Sequence, residues 1–325
     1  MSESTPAMKT TQSQELTSVV SAETLRRIRR IELRTRRLVR ETLVGAYHSM
    51  FKGRGMMFES VRPYEPGDPI REIDWNVTAR QGGVPYVKRY QEERELTVLL
   101  ALDASASCFF GTGARSKREQ AAELAAVLAL TAIRNNDKVG LLIFSDQIEH
   151  YTPPRKGRNH ILRLIRDALV VQPRSRGTDL GLALRTVDNI LKKRAVVFLI
   201  SDFLAARDEY AVALQVASRR HEVIAAVLSD PLEVSWPKVG LVSLQDAETG
   251  ETYLADTDHP AWQEAFTARS QRFVQMRDSV LRRSGVARLD LPTDADPVDA
   301  LVAFFQKQVH RTRPLRRTSL SNGSR

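Results

Sequence analysis

The chain has 325 residues, 42% of them apolar and 27% charged, a balance that belongs to a globular protein and not to a disordered one. No apolar run approaches the roughly 18 residues that span a bilayer, and the polar start carries no apolar signal segment. The formal charge of +10 sits at the two ends, +5 in residues 21–50 and +5 in residues 311–325, so 51–310 carry only +1 and a basic nucleic-acid-binding core is excluded.

Residues 1–20 are rich in Ser, Thr and Gln and are expected to be disordered. From Ser21, the residues Leu25, Ile28, Ile31, Leu38, Val39 and Leu43 recur at near-helical spacing among eight arginines. Residues 21–50 therefore read as a basic amphipathic helix. Its apolar stripe is expected to dock on its own domain; the alternative is peripheral contact with an anionic membrane surface or a partner. Residues 51–95 are heavily punctuated by Gly and Pro and read as an irregular or β segment. Within it Glu65-Pro66-Gly67-Asp68 has proline second and glycine third, the pattern of a turn. Residues 86–90 have the look of a short strand.

The apolar run 96–102 reads as a strand buried on both faces, and it stops at Asp103-Ala104-Ser105-Ala106-Ser107. Helices are then expected over 117–134, 159–170, 180–193, 208–220, 260–283 and 297–310. Strands are expected over 138–144, 195–200, 222–228 and 286–291, with a β-hairpin at 241–255. Strands alternating with helices imply an α/β domain over 96–310, a mostly parallel sheet with helices on both faces. Residues 311–325 form a basic tail with no core-forming pattern.

Open α/β sheets place their ligand sites at the carboxyl ends of the strands. Three expected strand ends carry oxygen donors: Asp103-x-Ser105-x-Ser107, Gly177-Thr178-Asp179 and Ser201-Asp202. If the strands are neighbours, Asp103, Ser105, Ser107, Thr178 and Asp202 surround one hard divalent cation, Mg²⁺ or Mn²⁺. Two carboxylates among neutral oxygens leave such an ion incompletely neutralised and open to an external carboxylate. That is chemistry for holding a partner's Asp or Glu.

The order of these motifs resembles the metal-ion-dependent adhesion site of von Willebrand factor A domains. More narrowly, the chain resembles the uncharacterised bacterial family of unknown function that accompanies MoxR-type AAA+ ATPases. The segments that carry the resemblance begin with Tyr64-Glu65-Pro66-Gly67-Asp68-Pro69-Ile70-Arg71-Glu72-Ile73-Asp74-Trp75 and the Asp103 motif. They continue with Asp137-Lys138-Val139-Gly140-Leu141, Gly177-Thr178-Asp179-Leu180, Ser201-Asp202-Phe203 and Asp246-Ala247-Glu248-Thr249-Gly250. The resemblance implies a von Willebrand factor A-like fold and cooperation with a MoxR-type ATPase in the assembly or maturation of an acidic-residue-bearing client.

Other chemistries lack sequence support. Residues 111–117 miss the spacing of a phosphate-binding loop, no Gly-x-Ser-x-Gly elbow is present, and the six histidines are scattered. The lone cysteine, Cys108, excludes an internal disulfide, reads as a packed residue and fits a reducing cytoplasm. The leading expectation is a cytoplasmic, non-catalytic binding module. The alternatives are a metal-dependent phosphoesterase using Asp103 and Asp202, or an electrostatic anchor to nucleic acid or anionic lipid through the basic ends.

Overall fold

The structure is a computed structural model that describes residues 41–51, 56–80, 82–92, 95–113, 115–205 and 207–312. The expected disordered start, the basic segment up to residue 40 and the tail from residue 313 lie outside the described residues.

The first described helix, Glu41–Phe51, turns Tyr47 and Phe51 onto Phe305 of the last helix in edge-to-face contacts. The Gly- and Pro-rich segment that follows is ordered around an antiparallel pair, β1 (Met56–Pro63) with β2 (Tyr86–Glu92). Only the second of these strands was expected. Between them the Asp68 amide donates to the Glu65 carbonyl at 3.1 Å. Gly67 sits at φ 112°, the left-handed conformation that a glycine in third position supplies.

The main sheet has six strands in the spatial order β10-β7-β6-β3-β4-β5. These are β3 (Thr97–Asp103), β4 (Lys138–Phe144), β5 (Ile148–Arg155), β6 (Val196–Ser201), β7 (Glu222–Ser229) and β10 (Ala287–Pro292). All pairings are parallel except β4 with β5. The α/β, mostly parallel architecture expected from the alternation of elements is thus the one observed. The edge strand β5 was not expected, because Pro153 and Pro154 remove two amide donors and disguise it. An edge strand tolerates that loss; a central one does not.

Alternation along β3 explains its continuous apolar run. Val98, Leu100 and Leu102 enter one buried cluster with the helices Lys117–Arg134, Arg158–Val170 and Pro297–Thr312. Leu99 and Ala101 enter the other, with Leu180–Ile190 and Arg207–Arg220. Strand β3 lies between β6 and β4, so its carboxyl end opens between two neighbouring strand ends. A separate hairpin, β8 (Leu241–Gln245) with β9 (Thr252–Asp256), is antiparallel and largely exposed. Among the described residues no helix is long and apolar enough to cross a membrane.

Candidate functional site

The site begins where β3 runs out. Asp103, buried, accepts the Ser105 amide on Oδ1 at 2.9 Å and the Ser201 hydroxyl on Oδ2 at 2.6 Å. The second bond ties the ends of β3 and β6 together, as their adjacency in the sheet allows. Beyond it the Ser105 and Ser107 hydroxyl oxygens stand 3.1 Å apart. Cys108 is buried beside them, and burial pushes its thiol well above its ordinary value, as for a residue packed in the core.

Strand β6 ends on Ser201-Asp202, and Phe203 follows at φ 56°. A bulky residue in the left-handed region is strained and persists only where its surroundings hold it. Here Phe203 is buried against Tyr210, and its amide donates to the Ser201 hydroxyl at 3.0 Å. The strained turn fixes Asp202, whose Oδ1 accepts the Leu204 amide at 3.2 Å.

The other Asp202 oxygen faces a cation of the chain's own. The Lys117 ammonium, fully buried, donates to Asp202 Oδ2 at 2.6 Å and to Glu233 Oε1 at 2.5 Å. It arrives there through a tight loop. A Cβ on Gly111 would stand 2.5 Å from Ser116 Cα, and the Lys117 amide donates back to the Phe110 carbonyl at 2.9 Å. Asp230 secures this loop by accepting both the amide and the hydroxyl of Thr112, at 3.0 and 2.7 Å.

The electrostatics follow from this packing. Burial, then the neighbouring Asp202 charge, push Asp103 up to about 6 against the hydrogen bonds of Ser105 and Ser201. Burial would raise Asp202 too, but the Lys117 ammonium and a Ser107 hydrogen bond outweigh it and hold that carboxyl below its usual value. Burial raises Glu233 even with Lys117 beside it. Lys117 is lowered by burial, yet its two carboxylate partners more than reverse this and keep it a cation.

Asp103, Ser105, Ser107 and Asp202 therefore converge in one cluster. Thr178 reaches the same edge but bonds elsewhere. Its loop is stitched to the first by the Ala106 amide donating to the Arg176 carbonyl, and to the end of β4 by the Asp179 amide donating to the Ser145 carbonyl, both at 2.9 Å. Asp179 caps the helix Leu180–Ile190. The Thr178 hydroxyl donates to Glu248 Oε1 at 3.0 Å, so an exposed carboxylate from the β8–β9 turn already stands on this residue. Arg176 Nε also donates to the Ala247 carbonyl at 3.2 Å. A cavity of about 490 Å³ lies between the loop after β3, residues 172–176 and the hairpin tip, with Phe109, Phe110, Pro173 and Arg176 among its walls.

The donor set fits a hard divalent ion. Hydroxyls of Ser105 and Ser107 sit next to two carboxylates, all oxygen donors of the kind such an ion takes. Among the described residues no group of three or more His, Cys, Asp and Glu is arranged for a metal, so any ion here would depend on the hydroxyls. Sequence reasoning missed Lys117 and Glu233. One signal was present: a lysine stands at the first position of a helix, where the dipole favours acids.

The pattern of a family described as "Protein of unknown function DUF58" matches residues 60–275. An uncharacterized protein of Mycobacterium tuberculosis, Rv1480, is 32% identical over 279 residues, 85% of this chain and 87% of that protein. An uncharacterized protein of Mycobacterium avium is 31% identical over 160 residues, 48% of this chain and 92% of its own. Among solved structures, the conserved hypothetical protein BatB from Bacteroides thetaiotaomicron aligns with TM-score 0.44 and 16% identity, over 66% of this chain and 99% of that one. The SpRpn10 VWA domain aligns with TM-score 0.39 and 11% identity, over 64% of this chain and 93% of that domain. These structural likenesses are distant, and the strand order itself defines the fold.

Proposed function

The chain belongs to the DUF58 family, and on that premise we propose that it is a non-catalytic protein-binding module whose partner is gripped at the carboxyl edge of β3 and β6. The observation that carries this reading is the convergence of Asp103, Ser105, Ser107 and Asp202, with Thr178 on a loop tied to theirs and a carboxylate of the chain itself resting on it. In this reading Asp103, Ser105, Ser107, Thr178 and Asp202 hold Mg²⁺ or Mn²⁺, directly or through water. The bound ion supplies a positive centre for a partner's Asp or Glu. The chain's own residues do the rest. Asp103 orients the Ser105 amide and Ser201, the strained Phe203 turn fixes Asp202, and the 174–179 loop presents Thr178 at the rim.

The partner class we propose is a MoxR-type AAA+ ATPase together with an acidic-residue-bearing client whose assembly or maturation the pair promotes. Because such an ATPase works where ATP is, we place the module in the cytoplasm. A carboxylate and an ion that share a shell each tighten the other's binding by the same factor, typically about 5–150-fold.

The test is binding of the purified full chain to a MoxR-type ATPase from the same organism, in Mg²⁺ and in EDTA, with Asp103→Ala in parallel. Binding that weakens in EDTA and in Asp103→Ala supports the reading. Binding indifferent to both, or turnover of a phosphate ester that Asp103→Ala abolishes, would contradict it.

A further inference from the structure

Nothing in the helix that begins at Lys117 asks for a lysine there. Its end is already satisfied by a capping box, with the Ser116 hydroxyl accepting the Glu119 amide at 3.2 Å and Glu119 Oε2 accepting the Ser116 amide at 2.9 Å. The positive end of the helix dipole repels a cation at this position. Removing an ammonium from water is costly unless opposite charge compensates it. Compensation comes from two carboxylates on separate elements: Asp202 at the end of β6 and Glu233 in the short helix Pro231–Glu233. Glu233 is itself placed by a second capping box with Asp230, whose side chain also accepts the Thr293 hydroxyl at 2.7 Å. Three elements are thus arranged to bring one ammonium to one of the two candidate carboxylates.

We propose that Lys117 is a built-in counter-cation of this edge, which holds Asp202 while no divalent ion is bound and competes with the ion for it, so that Lys117 sets the metal affinity. The inference rests on the divalent-ion reading above and deepens it. Asp103, Asp202 and Glu233 bring three carboxylates against a single ammonium, so the edge keeps room for further positive charge. A divalent ion near Asp202 nevertheless meets the repulsion of a cation that cannot diffuse away. Two consequences follow. The edge stays folded without metal, and the ion binds weakly unless a partner carboxylate offsets the ammonium.

Mn²⁺ binding to the full chain, read by calorimetry and by the loss of free-ion paramagnetic resonance signal, tests this. Lys117→Gln removes the charge and keeps a polar side chain. Lys117→Gln/Glu233→Gln removes one charge of each sign, so it keeps the wild-type net charge and leaves fewer unpaired buried carboxylates should the single variant fail to fold. Both variants free Asp202 from the ammonium, and the double variant also removes the negative charge of Glu233 that adjoins Asp202. The expected result is Mn²⁺ affinity raised by roughly tenfold or more in Lys117→Gln, the scale of removing one nearby charge, and raised by less in the double variant, which also loses one attracting charge. Wild-type binding that neither folded variant tightens would overturn the counter-cation and leave the metal reading standing. No Mn²⁺ binding by any of the three proteins would overturn both.

Discussion

Strand β3 has a buried carboxylate near each end, and the two are used in opposite ways. At the amino end Asp137 accepts the Tyr47 hydroxyl at 2.8 Å and the Leu96 amide at 2.9 Å. Both partners are neutral, one belongs to the helix Glu41–Phe51, and the carboxylate acts as a strut that fastens this helix to the sheet. At the carboxyl end Asp103 and Asp202 crowd together, take hydroxyl donors from different serines, and one ammonium lies between Asp202 and Glu233. Burial raises Asp137 and Asp103 alike, and a carboxylate adds to it at each, Glu95 at Asp137 and Asp202 at Asp103; at Asp137 the Lys156 ammonium works against it. Burial of an acid is therefore no mark of a site by itself; what sets the carboxyl end apart is the gathering of Asp103, Asp202 and Glu233 with one ammonium.

The largest effect that would sharpen this contrast is at Lys117. Lys117→Met strands the buried Asp202 and the half-buried Glu233 and is expected to cost about 3–5 kcal/mol in urea unfolding. A loss under about 1 kcal/mol would mean that the ammonium is not what compensates Asp202. At the strut, Tyr47→Phe leaves one buried Asp137 oxygen without its donor and should cost about 1–3 kcal/mol. It should leave Mn²⁺ affinity unchanged, and a change there would break the division between the two ends. Asp103→Asn should move in the other direction. Trading one of two crowded carboxylates for an amide is expected to raise stability by on the order of 1 kcal/mol while abolishing Mn²⁺ binding, read by thermal melts and calorimetry.

The smallest expected effect is again at the amino edge. His221, buried just before β7, stands 3.3 Å from Asp188, and among the described residues neither ring nitrogen has a well-aligned hydrogen-bond partner. Burial lowers its proton affinity, and Arg220 and Arg194 add to this against the pull of Asp188. Below its ordinary 6.5 the unfolded chain binds the proton more readily than the folded one, so stability should fall as pH drops through that range. Unfolding curves between pH 7.5 and 5 on the wild type and His221→Gln should show a shallower slope in the variant. Equal slopes would assign the dependence to other groups.

The parallel core was legible because strands buried on both faces leave unbroken apolar runs, and the helices between them keep their period. The runs ending at Asp103 and Ser201 named the site as well as the sheet, since the sheet edge is where such ends meet. Strand β5 was not legible, because its prolines imitate a loop. Strand β1 was hidden by the glycines around it. Lys117 and Glu233 were missed for a different reason. They lie 116 positions apart in the sequence, and only the folded edge brings an ammonium and a carboxylate from such distant segments together.

The central claim is that the carboxyl edge of β3 and β6 takes a divalent cation through hydroxyls and carboxylates. Anomalous diffraction from crystals of the full chain soaked in Mn²⁺ tests it most directly. An anomalous peak is expected against the Ser105 and Ser107 hydroxyls, lost in Asp103→Ala. Mn²⁺ found only at other surfaces, with those hydroxyls bare, would contradict it.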